Sequence, residues 1–316
     1  MRALVVGGAG FIGSHLCRAL LQSGHTVTCM DNFSLGTERN ISDLTERAGF
    51  LLCRGDASEE AALRSVFVEA KPDYVFHLAA NSDIRASAQN PEVEYQNTYS
   101  TTFQILNCMR RYGVKRMFFA STSAVYGDKR DILLDEHTPD LAPVSYYGAA
   151  KLGAEALIHA FSYMNDIRAL VFRFPNVIGP GLTHGVIYDF IRKLEKDPKR
   201  LEILGDGRQT KPYIYIRDLI DAICQFMDGE EDGVTLYNVG VSGETSVTGI
   251  ADVICREKGL FGVTYCYAGG EGGWKGDVPR FRYGLDNIHK AGWQARYTSD
   301  EAVEMTVRAA LAERDA

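Results

Sequence analysis

Tyr147 and Lys151 stand four residues apart in the segment "VSYYGAAKLGAE", residues 144–155. Each residue of an α-helix turns by about 100°, so positions four apart lie roughly 40° from one another on one face. Tyr146 is one residue further back and points well away, so in a helical segment Tyr147 is the lysine's partner. A free phenol has a pKa of about 10 and is ionised in roughly one molecule in a thousand at neutral pH. An ammonium a few Å away favours the phenolate. Bringing the pKa down to about 7 takes ~4 kcal/mol of differential stabilisation, which a lysine in a water-excluded site can supply. Such a tyrosine takes a proton from an alcohol while hydride leaves the same carbon. An ordinary amphipathic helix also places a Tyr and a Lys one turn apart, so the pair acquires meaning only from what precedes it. Upstream, "RMFFASTSAVYG" ends a strand-like run in Ser121, Thr122 and Ser123, where a hydroxyl can hydrogen-bond a reacting alcohol or simply cap the next turn.

A hydride needs an acceptor, and the N-terminal residues read as its holder. "VVGGAGFIG" spaces Gly7, Gly10 and Gly13 at a strand-to-helix turn. Glycines there let the backbone approach a pyrophosphate, and the helix start at Phe11, Ile12 and Gly13 presents unpaired N–H groups to it. "TVTCMD" then ends in Asp31, 18 residues beyond Gly13. An acidic residue at that distance accepts hydrogen bonds from an adenosine ribose and repels a 2′-phosphate, which favours NAD over NADP. Asp56, followed by Ala57, ends a further strand-like run and can meet the adenine amino group. An oxidised nicotinamide would add its positive charge to that of Lys151 in acidifying Tyr147. No set of metal ligands is read from the sequence.

These residues need a scaffold that brings strand ends together. Strand-like runs ("RALVV", "TVTCMD", "YVFHLAA", "RMFFAST", "RALVFRF") alternate with helical periodicity ("FIGSHLCRALLQSG", "AALRSVFVEA", a long helix over "VEYQNTYSTTFQILNCMRRYG", and one from the tyrosine pair to about Met164). This alternation predicts an α/β fold with a doubly wound parallel (Rossmann) sheet. The pattern loosens beyond residue 175, where turn residues and charges accumulate. Residues 1–175 are therefore assigned to a dinucleotide-binding domain and 176–316 to a second, smaller α/β lobe, with 234–240 returning to the main sheet. A chain of 316 residues suits one large α/β domain plus such a lobe. Net charge of −7 argues against a general nucleic-acid or anionic-membrane binder, whose footprint is basic. Any anionic ligand must be held by locally placed cations and backbone N–H groups. Seven scattered cysteines without CxxC spacing read as reduced thiols, and no apolar run matches a membrane span; a cytoplasmic protein is expected.

Taken in order, "GGAGFIGSHL", "DNFSLG", "HLAANSD", "YQNTYSTT", "STSAVYG", "YYGAAK", "RFPNVIGP", "GDGRQTKPYIYIRDL" and "GDVPRFRYGLDNIHKAGW" resemble the extended short-chain dehydrogenase/reductases of the nucleotide-sugar epimerase/dehydratase family. The resemblance runs nearly end to end. It implies Tyr147 as acid/base, Thr122 as its hydroxyl partner and Lys151 as the residue orienting a nicotinamide ribose. It also implies that Asp31, Asn32, Phe33, Ser34 and Gly36 line NAD, with Leu78, Ala79, Ala80, Ser82 and Ser121, and that Asn97 lies near the nicotinamide. Asn176, Val186, Leu201 and Ile203 would hold the nucleotide end of the substrate. Lys211, Asp277, Arg280 or Lys275 would serve its diphosphate. A homodimer through helices near 92–111 and 147–163 is implied as well.

One departure from the family's patterns bears on the reaction. Members resembling 4,6-dehydratases follow the threonine with Asp-Glu, and sugar-nucleotide decarboxylases usually carry a glutamate just before Val-Tyr-Gly; this chain has Ser123 and Ala124. Without a carboxyl there, the resemblance favours oxidation at C4, turnover of the 4-keto sugar and return of the hydride to its other face. The expectation is a UDP-sugar 4-epimerase, most simply for UDP-glucose and UDP-galactose. The rival readings are a dehydratase, decarboxylase or keto-reductase drawing a base from Asp83 or His184, and a silent NAD-binding sensor. Lys211 replaces a frequent arginine and loses its bidentate fork. Trp274 also stands where an arginine is common, Ser100 where glycine is usual, and Arg85 faces either the sugar or solvent.

Overall fold

The computed structural model describes residues 1–81, 84–130, 132–229 and 232–315, apart from the side chains of Arg85, Ala86 and Asp315. Ser82 and Asp83, both named above, lie outside the described residues, as does the side chain of Arg85. Apolar runs form β1 (Arg2–Val6), β2 (Thr26–Asp31), β3 (Phe50–Arg54), β4 (Tyr74–His77), β5 (Arg116–Thr122), β6 (Arg168–Phe174) and β7 (Val234–Asn238). They make one seven-stranded parallel sheet in the order β7-β6-β5-β4-β1-β2-β3. Such continuous apolar strands suit a sheet covered on both faces. The order reverses at the β1–β4 junction, where Val6 pairs with His77, so the turns after both strands meet at the carboxyl edge. Open α/β sheets bind ligands at this switch point.

Helices α1 (Phe11–Gln22), α2 (Glu60–Ala70), α3 (Thr101–Tyr112) and α4 (Tyr146–Asn165) follow the strands. Leu4, Val6, Val75, Met117, Phe119 and Val171 of the sheet share one core with Leu63, Phe67, Leu106, Ala154 and Ile158 of the helices. Each fully buried Leu, Val or Phe side chain contributes about 1.5–3 kcal/mol relative to exposure. This core holds the strand ends in place.

The expected long helix before α3 is not uniform. A short helix, Glu92–Glu94, passes into a π-helical stretch, Tyr95–Ser100, before α3 begins. The Thr101 hydroxyl donates to the Gln96 carbonyl five residues back, and the Thr102 hydroxyl to that of Thr98. Side-chain bonding of this kind favours widened turns, which recur at functional sites.

The chain divides into two compact units. The first comprises 1–127, 141–173 and 220–237; the second comprises 128–140, 174–219 and 238–316. The expected division, a cut at 175 with 234–240 returning to the main sheet, differs from these units at 128–140 and at 220–233. Residues 128–140 group with the second unit because Leu133–Leu134 pairs with Arg282–Tyr283. Residues 220–237 group with the first, since β7 joins the main sheet. The second unit pairs Asn176–Ile178 with Tyr213–Tyr215 and Arg200–Ile203 with Thr264–Tyr267. Helices Val186–Lys196, Val247–Glu257 and Ser299–Asp315 complete it, burying Phe190, Ile191, Ile254 and Val303. Among the described residues, no helix is long and apolar enough to cross a membrane.

Candidate active site

The phosphate-binding turn is built as its residues dictate. Gly7 N–H donates to the Met30 carbonyl at 2.8 Å, bringing the turn beside the end of β2. A Cβ at Gly13 would lie 2.1 Å from the Gly7 carbonyl oxygen, so the helix can pack this close only with glycine there. Gly10 is the N-cap of α1 and has no side-chain cap, and the N–H groups of Phe11, Ile12 and Gly13 have no intrahelical acceptor. A Cβ at Gly10 would meet only the Gly7 carbonyl, at 3.2 Å, leaving space over the helix start for an anion.

Asp31 is buried at the carboxyl end of β2 and accepts from Ala9 N–H at 2.9 Å and Phe33 N–H at 2.8 Å. Burial raises its carboxyl above the ordinary value, against the backbone donors of Phe33, Ala9 and Gly10. A carboxylate has about four lone-pair directions, so capacity remains for ribose hydroxyls. Phe33 takes a left-handed conformation, φ 58°, beneath the Arg54 guanidinium, which sits 4.6 Å from its ring. Ser34 N–H donates to the Asn32 side chain, whose amide donates to Asp56 at 2.8 Å. Burial works against the Asp56 carboxylate, yet hydrogen bonds from Ser58 and Asn32 hold it below its ordinary range. Asp56 thus braces the loop after β2, with Ala57 buried beside it. Gly36 backs directly onto the Asp31 carboxylate. Leu78, Ala79 and Ala80 continue from β4, and the Leu78 N–H donates to the Val6 carbonyl at 2.9 Å. This turn, helix start and carboxylate fit the pyrophosphate and adenosine ribose of a dinucleotide.

The candidate acid/base residues lie on β5 and α4. Ser145 caps α4, its hydroxyl accepting from Gly148 N–H at 3.1 Å, and this fixes the phase of the helix. Tyr147 is thereby half-buried, while Tyr146 is 52% exposed. Lys151 Nζ lies 5.9 Å from the Tyr147 ring centroid and 4.6 Å from that of Phe119. It donates to the Ala120 carbonyl at 2.7 Å, and the residue is only 1% exposed. Thr122 caps the turn Ser123–Tyr126, its oxygen accepting from Ala124 N–H at 3.2 Å. That leaves the threonine hydrogen for the Tyr147 oxygen, to which it is hydrogen-bonded.

The electrostatics differ from the sequence expectation. Burial pushes the Tyr147 phenol above its ordinary value, the Glu94 carboxylate pushes it further, and only the Thr122 hydroxyl lowers it. Burial also lowers the Lys151 ammonium to about 8, against the opposing pull of Glu94 and Glu155. The ammonium therefore does not acidify the phenol by itself. Desolvation of an anion in a dry site exceeds what one partly desolvated cation returns.

Residues that sequence reasoning passed over complete the site. Glu94 is 1% exposed and accepts from the Asn81 amide at 2.8 Å and the Thr98 hydroxyl at 3.0 Å. Glu155, one turn beyond Lys151, receives Arg173 Nη2 at 2.6 Å and Nε at 3.0 Å. The Ser121 hydroxyl also donates to Glu155, so Ser121 braces α4 against β5. His77, fully buried, contacts Thr102 at 2.8 Å and is held well below its ordinary pKa by burial and by Lys151. Asn97, partly buried, lies in the π-helical stretch. The i+4 spacing of Glu155 from Lys151 was a usable signal; nothing in "PEVEY" marks Glu94 as buried.

The residues assigned to the nucleotide end all fall in the second unit. Asn176 is exposed at the start of its strand, and Val186 opens the helix Val186–Lys196. Leu201 and Ile203 are fully buried in that unit's core, so only their backbone is available to a ligand, a correction to any side-chain contact. Lys211 is paired with Asp277 at 2.5 Å, and Asp277 also accepts from Gly273 N–H at 3.0 Å. Their charges cancel locally. Arg280 is exposed and bridges through its backbone to Thr210, beside Lys211. Lys275 is exposed, Trp274 half-buried and His184 exposed.

The fold and this site define a Rossmann-type oxidoreductase scaffold of the extended short-chain class. Residues 3–240 match the model of the NAD dependent epimerase/dehydratase family, and the chain belongs to that family. It is 31% identical over 309 residues to a putative UDP-glucose 4-epimerase of Methanocaldococcus jannaschii, covering 96% of each chain. A crystal structure of a UDP-galactose 4-epimerase superposes with a TM-score of 0.87 at 34% identity, covering 99% of both chains. A UDP-glucuronic acid 4-epimerase from Bacillus cereus, solved with UDP-glucuronic acid and NAD, superposes with a TM-score of 0.89 at 26% identity, covering 99% of this chain and all of that one. The protein is an NAD-dependent enzyme of nucleotide-sugar chemistry.

Proposed function

We propose that this protein is a UDP-sugar 4-epimerase that interconverts UDP-glucose and UDP-galactose. The observation that carries the reaction type is the turn after Thr122, where Ser123 and Ala124 supply no carboxyl group. NAD supplies the acceptor and donor of hydride when bound. Tyr147 takes the proton of the C4 hydroxyl and later returns one to the 4-keto sugar, while Thr122, whose hydroxyl is bonded to the Tyr147 oxygen, holds the phenol in place beside it. Lys151 keeps a positive charge beside the phenol and, anchored on the Ala120 carbonyl, would hold the nicotinamide ribose. Burial and Glu94 hold Tyr147 protonated, and an oxidised nicotinamide, when bound, would supply positive charge favouring its ionisation. The sugar is oxidised and reduced in one cycle, so there is no net redox change and NAD stays bound.

Asn176, Val186, the backbone near Leu201 and Ile203, and Lys211 with Asp277 and Arg280 are given the nucleotide end. Arg280 and Lys275, both exposed, are the cations offered to the diphosphate, since Lys211 is already neutralised by Asp277. The M. jannaschii relative and the UDP-galactose 4-epimerase structure support the choice of sugar. We also assign a homodimer to the faces of α3 and α4, where Phe103 packs edge-on against Phe161 at 6.0 Å and remains 42% exposed. The free cysteines agree with a reducing, cytoplasmic location. Purified protein incubated with UDP-galactose is expected to form UDP-glucose without added NAD. No conversion by NAD-loaded protein would refute the substrate, and loss of water from the product would replace epimerisation by elimination.

A further inference from the structure

We propose that Glu94 is the counter-ion of the Lys151 ammonium and a positioning residue that sets the pH range in which the Tyr147–Lys151 pair works. The inference rests on the acid/base reading of Tyr147 given above. Its starting point is charge balance in a dry pocket. Lys151 and Arg173 bring two buried cations, and Glu155 and Glu94 bring two buried carboxylates. Arg173 engages Glu155 through two hydrogen bonds, at 2.6 and 3.0 Å, and so neutralises it. Glu94 has no ion pair among the described residues; its hydrogen-bond donors are the neutral Asn81 amide and Thr98 hydroxyl. An isolated buried carboxylate is costly unless a charge of opposite sign lies near. The short helix carrying Glu94 packs on α4, and the charge of Glu94 is felt by both Lys151 and Tyr147.

Among the described residues, the titratable and charged groups facing the pair are the following, together with the Tyr126 phenol against Arg173. From α4 come Tyr147, Lys151 and Glu155; from β5, Thr122 and the Ala120 carbonyl; from β4, His77; from β6, Arg173; and from the short helix, Glu94. His77 is kept neutral by burial and Glu155 is spent on Arg173. Among the described residues, Glu94 remains as the charge that favours the proton on both working groups. It keeps Lys151 cationic and keeps the phenol from ionising before oxidised cofactor supplies a compensating charge. Asn81 and Thr98 fix where that negative charge sits.

The test is a tyrosinate absorbance titration of NAD-loaded protein, taken as the difference from Tyr147→Phe, in parallel with the pH profile of kcat. Glu94→Gln keeps an acceptor for Asn81 and Thr98 but removes the charge. It is expected to lower the Tyr147 midpoint by about one pH unit, roughly tenfold in proton affinity, and to move the kcat profile the same way. Glu94→Asp and Thr98→Val keep the charge and are expected to leave the midpoint within about 0.3 unit of the parent. An unmoved midpoint in Glu94→Gln overturns the proposal. If Glu94→Gln fails to fold, a shifted midpoint in both charge-preserving variants overturns it equally, because hydrogen bonding and not charge would then set the pair. The titration needs no nucleotide sugar, so a wrong substrate leaves it intact and shows only in the turnover assay.

Discussion

At the scale of single residues, the proposed chemistry rests on one phenol whose environment resists ionisation. Tyr147→Phe is expected to reduce kcat by roughly 10²–10⁴-fold while bound NAD is retained, measured by turnover and by cofactor released on denaturation. Retained turnover would remove Tyr147 from the chemistry. Lys151 gives a pH signature of its own. Its ammonium sits at about 8 against an ordinary 10.5, so the folded protein holds this proton less tightly than the unfolded chain. Below about 8 both states are protonated and the full cost of burying the charge is present. Between about 8 and 10.5 the unfolded state binds more protons, so stability should rise with pH in this window. Urea unfolding of the parent and Lys151→Met across that range checks the sign; a parent that loses stability relative to the variant contradicts it. The choice of Tyr147 over Tyr146 was legible because helical phase alone separates them. The direction of the phenol's shift was not, because it depends on burial and on Glu94, which lies far away in sequence.

At the scale of elements, α4 is tied to β5 and β6 through Glu155, Ser121 and Arg173. Arg173→Met leaves a buried carboxylate without its cation and is expected to cost about 3–5 kcal/mol in urea unfolding. The double variant Arg173→Met/Glu155→Met removes both charges and should recover much of that loss. Equal destabilisation in the two variants would mean that packing, not charge, binds these elements. Gly13→Ala should cost about 1–3 kcal/mol and impair NAD retention, because the new Cβ meets the Gly7 carbonyl. Strand and helix alternation, the glycine turn and Asp31 were legible because each follows from local periodicity or a fixed spacing. The π-helical stretch was hidden: threonine hydroxyls at 101 and 102 bond back to backbone carbonyls, and no apolar period records that. Leu201 and Ile203 show the converse, since a position associated with a ligand turns out to be core and offers only its main chain.

At the scale of the whole molecule, the two compact units interleave along the chain, and the main sheet is finished by β7 from far downstream. The sequence boundary allows for the return of 234–240 but misses the transfer of 128–140, since strand partners are set by tertiary pairing. The proposed dimer face gives a direct prediction. Phe103, with Tyr163 and Met164 exposed at 88% and 75% on α4, places large apolar groups on the surface. Phe103→Asp should convert the dimer to monomer in light scattering, and an unchanged mass would exclude this face. The sharpest test of the account follows the hydride itself. UDP-glucose carrying deuterium at C4, incubated with NAD-loaded protein, should yield UDP-galactose of unchanged mass with the deuterium still at C4 and no accumulation of reduced cofactor. Deuterium lost to solvent, or a product lighter by water, would contradict oxidation and return at that carbon.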